Sequence, residues 1–385
     1  MRFRLLTHSP LRAVFAGAAA LALTGSPAPA QQVTSQPVST AAPGGCLPPP
    51  PSCATPAAPS PGAPPSPFVQ PTPAPAEGTL SSELALGGGL SAAAGAESVA
   101  LDAAGYIDDA IPQTRFRLRF DAAYNDNRPD RAEFFYGKCG CFKIAGVDPR
   151  APGPPLTESR VDYQELSSYL EYAVGQRFSG FVEIPVRFIN PEQNANFTGL
   201  GDINFGAKLA MISQQDTVLT FQFRTYVPSG DAFKGLGNDH VSLEPALLLY
   251  QRLGDRLALQ GEFRDWIPID GTDFAGNVIR YGVGLDYLVF NRPNFRVILV
   301  PELVGWTVLG GKEAAVANAE AGILQVQDAS GDTIVNAKFG VRIGFGALEE
   351  RGLLSSSDLY VGYGRALTGD VWYKDILRVE YRLHF

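Results

Sequence analysis

From Thr114 to the C-terminus, apolar and polar residues alternate with a period of two, the spacing of an extended strand with one greasy and one wet face. In the last ten residues Leu377, Val379, Tyr381, Leu383 and Phe385 fall on one face, and Arg378, Glu380, Arg382 and His384 on the other. The region opens in the same way, with Phe116, Leu118, Phe120, Ala122 and Tyr124 alternating with Arg115, Arg117, Arg119 and Asp121. Ten further strands are predicted between these two. The second sets Glu165, Ser167 and Glu171 against Leu166, Leu170, Tyr172 and Val174, and the third sets Glu183 and Arg187 against Val182, Ile184 and Val186. Asn204 and Lys208 mark the polar face of the fourth, Gln222, Arg224 and Tyr226 that of the fifth, and Glu244 that of the sixth. The seventh carries Gln260, Glu262, Arg264 and Trp266 there. The eighth has Arg280 and Asp286 opposite Ile279, Tyr281, Val283, Leu285, Tyr287 and Val289. The ninth has Arg296 and Glu302 on its polar face, the tenth Lys338 and Arg342, and an eleventh runs from Leu359 to Leu367.

The connections sort by length. Even-numbered strands end in Gly175-Gln176-Arg177, Gln214-Gln215-Asp216, Gly254-Asp255 and Asn291-Arg292-Pro293-Asn294. Odd-numbered strands end in Asn125–Arg160, Asn190–Gly201, Pro228–Val241, Pro268–Asn277 and a long loop reaching Asn336. Two connections depart from the rule: Ala347–Asp358 is long for the short side, and Thr368–Val371 is short for the long side. Short turns at one end and long loops at the other are expected of an all-β chain folded as a transmembrane, antiparallel up-and-down β-barrel of about 12 strands. A secreted sandwich lacks that segregation and seldom places glutamates and arginines on its more sheltered face. The predicted barrel occupies 114–385, and an even strand count puts both of its ends on the periplasmic side. About twelve strands lie between barrels filled by their own side chains, at about eight, and open channels at about sixteen, so the lumen should be narrow.

Composition adds what precedes the barrel. Arg2 and Arg4, the apolar run Ala13 to Leu23 and Ala28-Pro29-Ala30 read as a secretory signal peptide, residues 1–30, cleaved after Ala30. Cleavage removes three arginines and no acids, so the net charge moves from -8 to -11, which disfavours nucleic acid as a partner. No later window approaches the roughly 18 apolar residues of a membrane helix. Residues 31–78, with Pro48-Pro49-Pro50-Pro51, cannot bury a core and read as a disordered linker. Residues 79–113 are small and mildly apolar, and a short helix under the barrel and a plug inside it both remain open. In an oxidising compartment a Cys46–Cys53 disulfide is allowed. Cys139 and Cys141 are too close for an easy bond, and too few ligands lie near them for a metal site. No cofactor is expected.

The inward set is Arg115, Arg117, Arg119, Glu165, Glu171, Glu183, Arg187, Lys208, Arg224, Glu244, Glu262, Arg264, Arg280, Asp286, Glu302, Lys338, Arg342, Arg378, Glu380 and Arg382. Most of these serve to brace the wall by pairing across the interior, and the functional alternative is a charged, pore-lining constriction that selects polar solutes by sign. Pro185, Pro245 and Pro301 sit inside strands of a sheet that has no edge, so each should mark a kink or bulge. The sharper alternative is a gap in the wall through which an apolar solute leaves sideways.

The closing strand, ending on Phe385, resembles that of bacterial outer-membrane β-barrels, whose terminal aromatic is read by the barrel insertion machinery; outer-membrane lipids are then the other partner. Gly199-Leu200-Gly201-Asp202-Ile203-Asn204-Phe205-Gly206, Tyr226-Val227-Pro228-Ser229-Gly230-Asp231 and Gly235-Leu236-Gly237 resemble the outer-membrane family associated with meta-pathway phenol degradation. That resemblance covers roughly Leu166 to the C-terminus. It implies a barrel that helps aromatic or other apolar compounds cross, with Ser229 in place of the usual Thr. Since outer-membrane phospholipases are also twelve-stranded, a lipid hydrolase is the enzymatic alternative, with His240 near Ser229 or Ser242, though no Gly-x-Ser-x-Gly is present. A closed structural or adhesion barrel is the third. The expectation carried forward is a passive outer-membrane channel for a small-molecule solute, and no enzyme.

Overall fold

The computed structural model describes residues 102–127, 151, 153–269, 275–292, 295–318, 323–331, 333–345 and 356–385. All of them lie in one compact unit, Gly88–Phe385. The signal segment, the linker with Cys46 and Cys53, and the loop residues Cys139 and Cys141 lie outside the described residues.

Fifteen strands follow one another: β1 Arg115–Asp126, β2 Val161–Val174, β3 Phe178–Pro191, β4 Phe197–Leu200, β5 Ile203–Ser213, β6 Thr217–Val227, β7 Val241–Arg252, β8 Leu257–Ile269, β9 Val278–Arg292, β10 Phe295–Val308, β11 Lys312–Asn318, β12 Ile323–Asp328, β13 Thr333–Phe345, β14 Ser357–Ala366 and β15 Asp375–His384. Thirteen form one antiparallel sheet; twelve of these make a closed wall and β4 hangs on β3. The last and first strands zip together from Arg115↔His384 to Tyr124↔Asp375, so the wall has no free edge. The wall strands run from 10 residues in β15 to 15 in β9, against the roughly 9–11 a tilted strand needs to cross a bilayer.

The polarity of this barrel is the reverse of a soluble protein's. Leu170, Leu247, Phe263 and Phe339 are 50%, 44%, 52% and 53% exposed, while Arg115, Glu171, Lys208 and Arg264 on the inner face are 1%, 0%, 1% and 2% exposed. Large apolar side chains around the whole outside would be intolerable in water and suit lipid. The period-two pattern produces this directly, because alternate side chains leave opposite faces of each strand.

Local structure departs from the sequence pattern in four places. The connection expected from Asn190 to Gly201 contains β4, which continues the ladder on β3 from Val186↔Leu200 to Ile189↔Phe197. The loop expected to reach Asn336 contains the β11–β12 hairpin, and β13 begins already at Thr333. In β9 the ladder shifts between Val297↔Phe290 and Ile298↔Leu288, so Phe290, 56% exposed, takes over the outward phase assigned to Val289. Residues 102–113 contain no helix, only bends and extended chain.

Each of the three predicted strand prolines, Pro185, Pro245 and Pro301, interrupts one ladder and keeps the other. Pro185 still pairs with Ser167 of β2, but the ladder toward β4 and β5 breaks between Glu183↔Asn204 and Val186↔Leu200. Pro245 pairs with Phe223 of β6, and the β7–β8 ladder skips from Leu243↔Ile267 to Ala246↔Arg264. Pro301 pairs with Phe339 of β13, and the β9–β10 ladder skips from Leu299↔Tyr287 to Glu302↔Gly284. The cause is the missing N–H: it would have pointed to one neighbour only, so that ladder breaks and the other survives.

Because the outer face meets lipid, Leu247→Arg should destabilise the barrel in liposomes by about 2–4 kcal/mol, whereas Leu247→Phe should be nearly neutral. Reversible urea unfolding in lipid vesicles checks this.

Candidate functional site: the charged lumen and the loop inside it

Residues 102–113 enter the barrel at the turn end, rise to an apex at Tyr106–Asp108 and return to start β1. Gln113 closes the base of this loop, its Nε2 donating to Asp102 Oδ2 and Asp109 Oδ2, both at 2.6 Å. An irregular backbone at membrane depth needs a partner for every N–H and C=O. The inward charges provide them. Glu302 accepts from the N–H groups of Gly105, Tyr106 and Ile107 at 3.2, 2.9 and 3.0 Å. Asp286 accepts from Ala103 and Glu262 from Asp108, at 3.3 and 3.2 Å. In return Arg342 and Arg382 donate to the Ala104 carbonyl at 2.5 and 2.6 Å, Arg378 to that of Gly105 at 2.7 Å and Arg280 to that of Tyr106 at 2.6 Å.

Shape reinforces charge. Tyr360 on β14 is fully buried, and a Cβ on Gly105 of the loop, on Gly340 of β13 or on Gly362 of β14 would come within 2.3, 2.2 and 2.4 Å of its ring. Three bare backbones thus make the slot that holds this ring beneath the loop. Tyr106, at the apex, lies between two cations, with Lys338 Nζ 3.9 Å and the Arg378 guanidinium 4.1 Å from its ring centre.

Around the loop the remaining inward residues form layers of ion pairs. Near the turn end, Arg115 joins Asp109 at 2.6 Å and Glu171 at 3.0 Å, and Lys208 joins Glu171 at 3.2 Å. On the adjoining strands β13–β15 Arg342 bridges Asp358 and Glu380, and Arg382 reaches Glu380 at 2.7 Å. His384 Nε2 lies 2.9 Å from Asp358. At mid-height Arg224 and Arg264 converge on Asp108 of the loop at 2.9 and 3.0 Å. Arg264 also contacts Glu244 and Glu262, and Arg280 meets Glu262 at 2.7 Å. Arg117 and Arg119 share Glu183 at 3.4 and 3.0 Å, Arg187 joins Glu165 at 2.8 Å, and Arg378 holds Asp121 through two contacts of 2.7 Å. All twenty predicted inward residues therefore face the interior; Arg119, Glu165 and Arg280 are half-buried and the other seventeen buried.

The sequence pattern missed Asp102, Asp108, Asp109 and Gln113, which belong to the loop, and Asp358, which lies at the start of β14. The available signal was the acidic pair Asp108-Asp109 in a small-residue segment immediately before three arginines spaced by two. Buried carboxylates there need cations, and the nearest cations in the chain face inward.

Above the loop, toward the loop end, a cavity of about 140 Å³ remains. Its floor includes Tyr106 and Asp108, and its walls mix charged groups with the rings of Tyr163, Tyr226, Trp266, Trp306 and Tyr373. Six cations line it: Arg119, Arg187, Arg224, Arg280, Lys338 and Arg378.

The glycine-rich motifs meet at the rim of this cavity. Asp202 accepts from the N–H groups of Gly230 and Asn238, both at 2.9 Å, and Ser229 Oγ donates to the Gly201 carbonyl at 2.9 Å while accepting from Ile203 N–H at 2.8 Å. A Cβ on Gly237 would strike Asp202 at 2.4 Å, and Gly235 takes φ 74°, so glycine is required at both. Burial pushes the Asp202 carboxyl up, against the opposing pull of Arg187 and its two backbone donors. Ser229 is thus a clamp between two loops. His240 Nδ1 lies 2.9 Å from the Asn238 carbonyl, with its ring edge-on to Trp266, and Ser242 is buried on β7. Among the described residues no three His, Cys, Asp or Glu side chains are grouped to hold a metal ion.

No family description and no curated protein matches the chain. Among solved structures it is similar to an outer membrane channel from Pseudomonas putida F1, with 15% identity and a TM-score of 0.44 over 74% of this chain and 98% of that one. It is also similar to the NanC porin, at 9% identity and a TM-score of 0.37 over 70% of this chain and 100% of that one. LpxR from Salmonella typhimurium gives 10% and 0.36 over 70% and 100%. At these values the likenesses decide nothing about what this chain carries.

Two substitutions separate the contributions of charge and shape. Asp121→Ala leaves Arg378 buried without its carboxylate and should lower stability by about 3–5 kcal/mol in the same unfolding assay. Gly105→Leu touches no wall ladder but displaces the loop that partners Arg224, Arg264 and Glu302; it should keep the barrel closed, lower its stability, and make the loop susceptible to thermolysin in detergent, where the native chain resists.

Proposed function

We propose that the protein is a passive outer-membrane channel for small solutes, and that residues 102–113 act as a plug that narrows it. The observation that carries this reading is the pairing of an apolar exterior with a charged interior in one closed wall. Such a wall can sit only in a bilayer, and a lumen wider than its own side chains requires something else to fill it. Here the filler is a loop without secondary structure, held by side-chain contacts alone, which can be withdrawn without breaking any rung of the wall. The signal segment and the terminal Phe385 support export to the outer membrane and handling by the insertion machinery, with both ends periplasmic. The twenty inward residues then line the pore and hold the plug.

Apolar or aromatic compounds are the solute class this reading favours. The family resemblance points that way, and Asn204 and Tyr226 of the stretches that carry it line the cavity. The interrupted ladders at Pro185, Pro245 and Pro301 favour a second route for such a solute, sideways through the wall. Replacing the three prolines by valine should restore N–H donors and slow uptake of an apolar fluorescent probe into cells or proteoliposomes; unchanged uptake counts against the lateral route. A lipid hydrolase is disfavoured because the Ser229 hydroxyl proton is already donated to the Gly201 carbonyl and Ser242 is buried on β7.

Conductance of single proteins in a planar bilayer tests the channel. The native chain should pass a small, steady current, and Gly105→Leu should raise it severalfold by displacing the plug. Silence from both indicates a closed structural barrel.

A further inference from the structure

We propose that the cavity above the loop is a binding site for a small aromatic monoanion, such as an arenecarboxylate, with Lys338 taking the carboxylate. The proposal rests on the channel reading for its biological setting but not for its chemistry.

Charge balance picks out Lys338. Five of the six cations lining the cavity have carboxylate partners within 3.0 Å: Arg119 with Glu183, Arg187 with Glu165, Arg224 with Asp108, Arg280 with Glu262 and Arg378 with Asp121. Lys338 is 4% exposed, and among the described residues no carboxylate lies within 4.0 Å of its Nζ. Its neighbour across the ladder is Glu302, directly opposite in the β10–β13 register, but that carboxylate is turned to the N–H groups of the loop. What surrounds the ammonium instead is aromatic. Nζ donates to Tyr373 Oη at 2.7 Å and lies 3.9, 5.1 and 5.2 Å from the ring centres of Tyr106, Trp306 and Tyr373. Ring faces attract a cation without neutralising it. An ammonium held this way has no carboxylate in contact to neutralise it, so a ligand carboxylate would supply the missing counter-charge in a low-dielectric site.

Size and walls select the rest of the ligand. The cavity holds about 140 Å³, and an apolar cavity of about 150 Å³ accommodates benzene. The edges of Trp306 and Tyr373 beside Lys338 suit offset or edge-on packing of one ring. A single-ring carboxylate satisfies the cation with its charged end and the aromatic wall with its body. Asp108, Asp121, Glu165, Glu183 and Glu244 also line the cavity, so a ligand carrying more negative charge than Lys338 can balance is disfavoured.

Trp266 and Trp306, two of the three tryptophans in the chain, line the cavity, so quenching of intrinsic fluorescence reads occupancy in detergent without any transport. The probes are 4-nitrobenzoate and its neutral counterpart 4-nitrobenzyl alcohol at pH 7.5. The benzoate should bind at least about tenfold more tightly, Lys338→Met should abolish that preference, and Lys338→Arg should retain it. Acetate should displace the benzoate only at far higher concentration. Equal binding of the two probes, a preference that survives in Lys338→Met, or displacement by acetate at matching concentration overturns the site. A silent bilayer beside intact benzoate preference would remove the channel and leave the site; a conducting channel without that preference would do the reverse.

Discussion

Hydrocarbon offers no hydrogen bonds, and the whole architecture follows from meeting that constraint twice. In the wall it is met by closure. Once β1 and β15 pair, every wall strand has two neighbours and the wall has no edge to present to lipid. Inside, an irregular loop of chain sits at membrane depth, and its peptide groups are satisfied by charged side chains. Glu302, Glu262 and Asp286 take its N–H groups, while Arg280, Arg342, Arg378 and Arg382 take its carbonyls. Charges in such numbers would be expensive to bury alone. Glu262, Arg280, Arg342, Arg378 and Arg382 are each shared between an opposite charge on the wall and a peptide dipole on the loop, whereas Glu302 and Asp286 are held by hydrogen bonds to the loop and to Gln260.

The same economy explains why loop and lumen depend on each other. Asp108 draws together Arg224 and Arg264, which flank Glu244 of β7 from the two strands beside it. Tyr106 fills the space between Lys338 and Arg378. Removing the loop would therefore leave like charges adjacent and Glu302 without its donors. Glu302 could then turn to Lys338, its neighbour in the ladder, so the occupied and vacated lumens differ in which partner this one carboxylate holds.

The barrel was legible in the sequence because period-two alternation and loop length are local properties, written residue by residue. Leu247 and Glu244, three apart, face opposite sides for no reason beyond strand geometry. What escaped was non-local. The loop of residues 102–113 has no periodicity, since its conformation is imposed by side chains as distant in sequence as Arg382. The short β4 and the β11–β12 hairpin escaped because seven or fewer residues give little pattern to count. The phase slip near Val289 arises from a register irregularity opposite Val297 and Ile298, which no single strand reveals. That Lys338 contacts rings and a phenol rather than a carboxylate was equally hidden: the ladder places it opposite Glu302, and only the loop shows why that carboxylate is engaged elsewhere.

Everything above depends on greasy side chains facing lipid and charged ones facing inward. The most direct measurement is spin-label accessibility in liposomes, on a chain whose four cysteines are replaced by serine, with single labels at Leu247, Phe263 and Phe339 and at Gln222 and Gln260. The outer three should relax readily with oxygen and hardly at all with a water-soluble nickel chelate, and the inner two should be shielded from lipid-dissolved oxygen. Outer labels that respond to the nickel chelate, with inner labels in contact with lipid, would contradict the account.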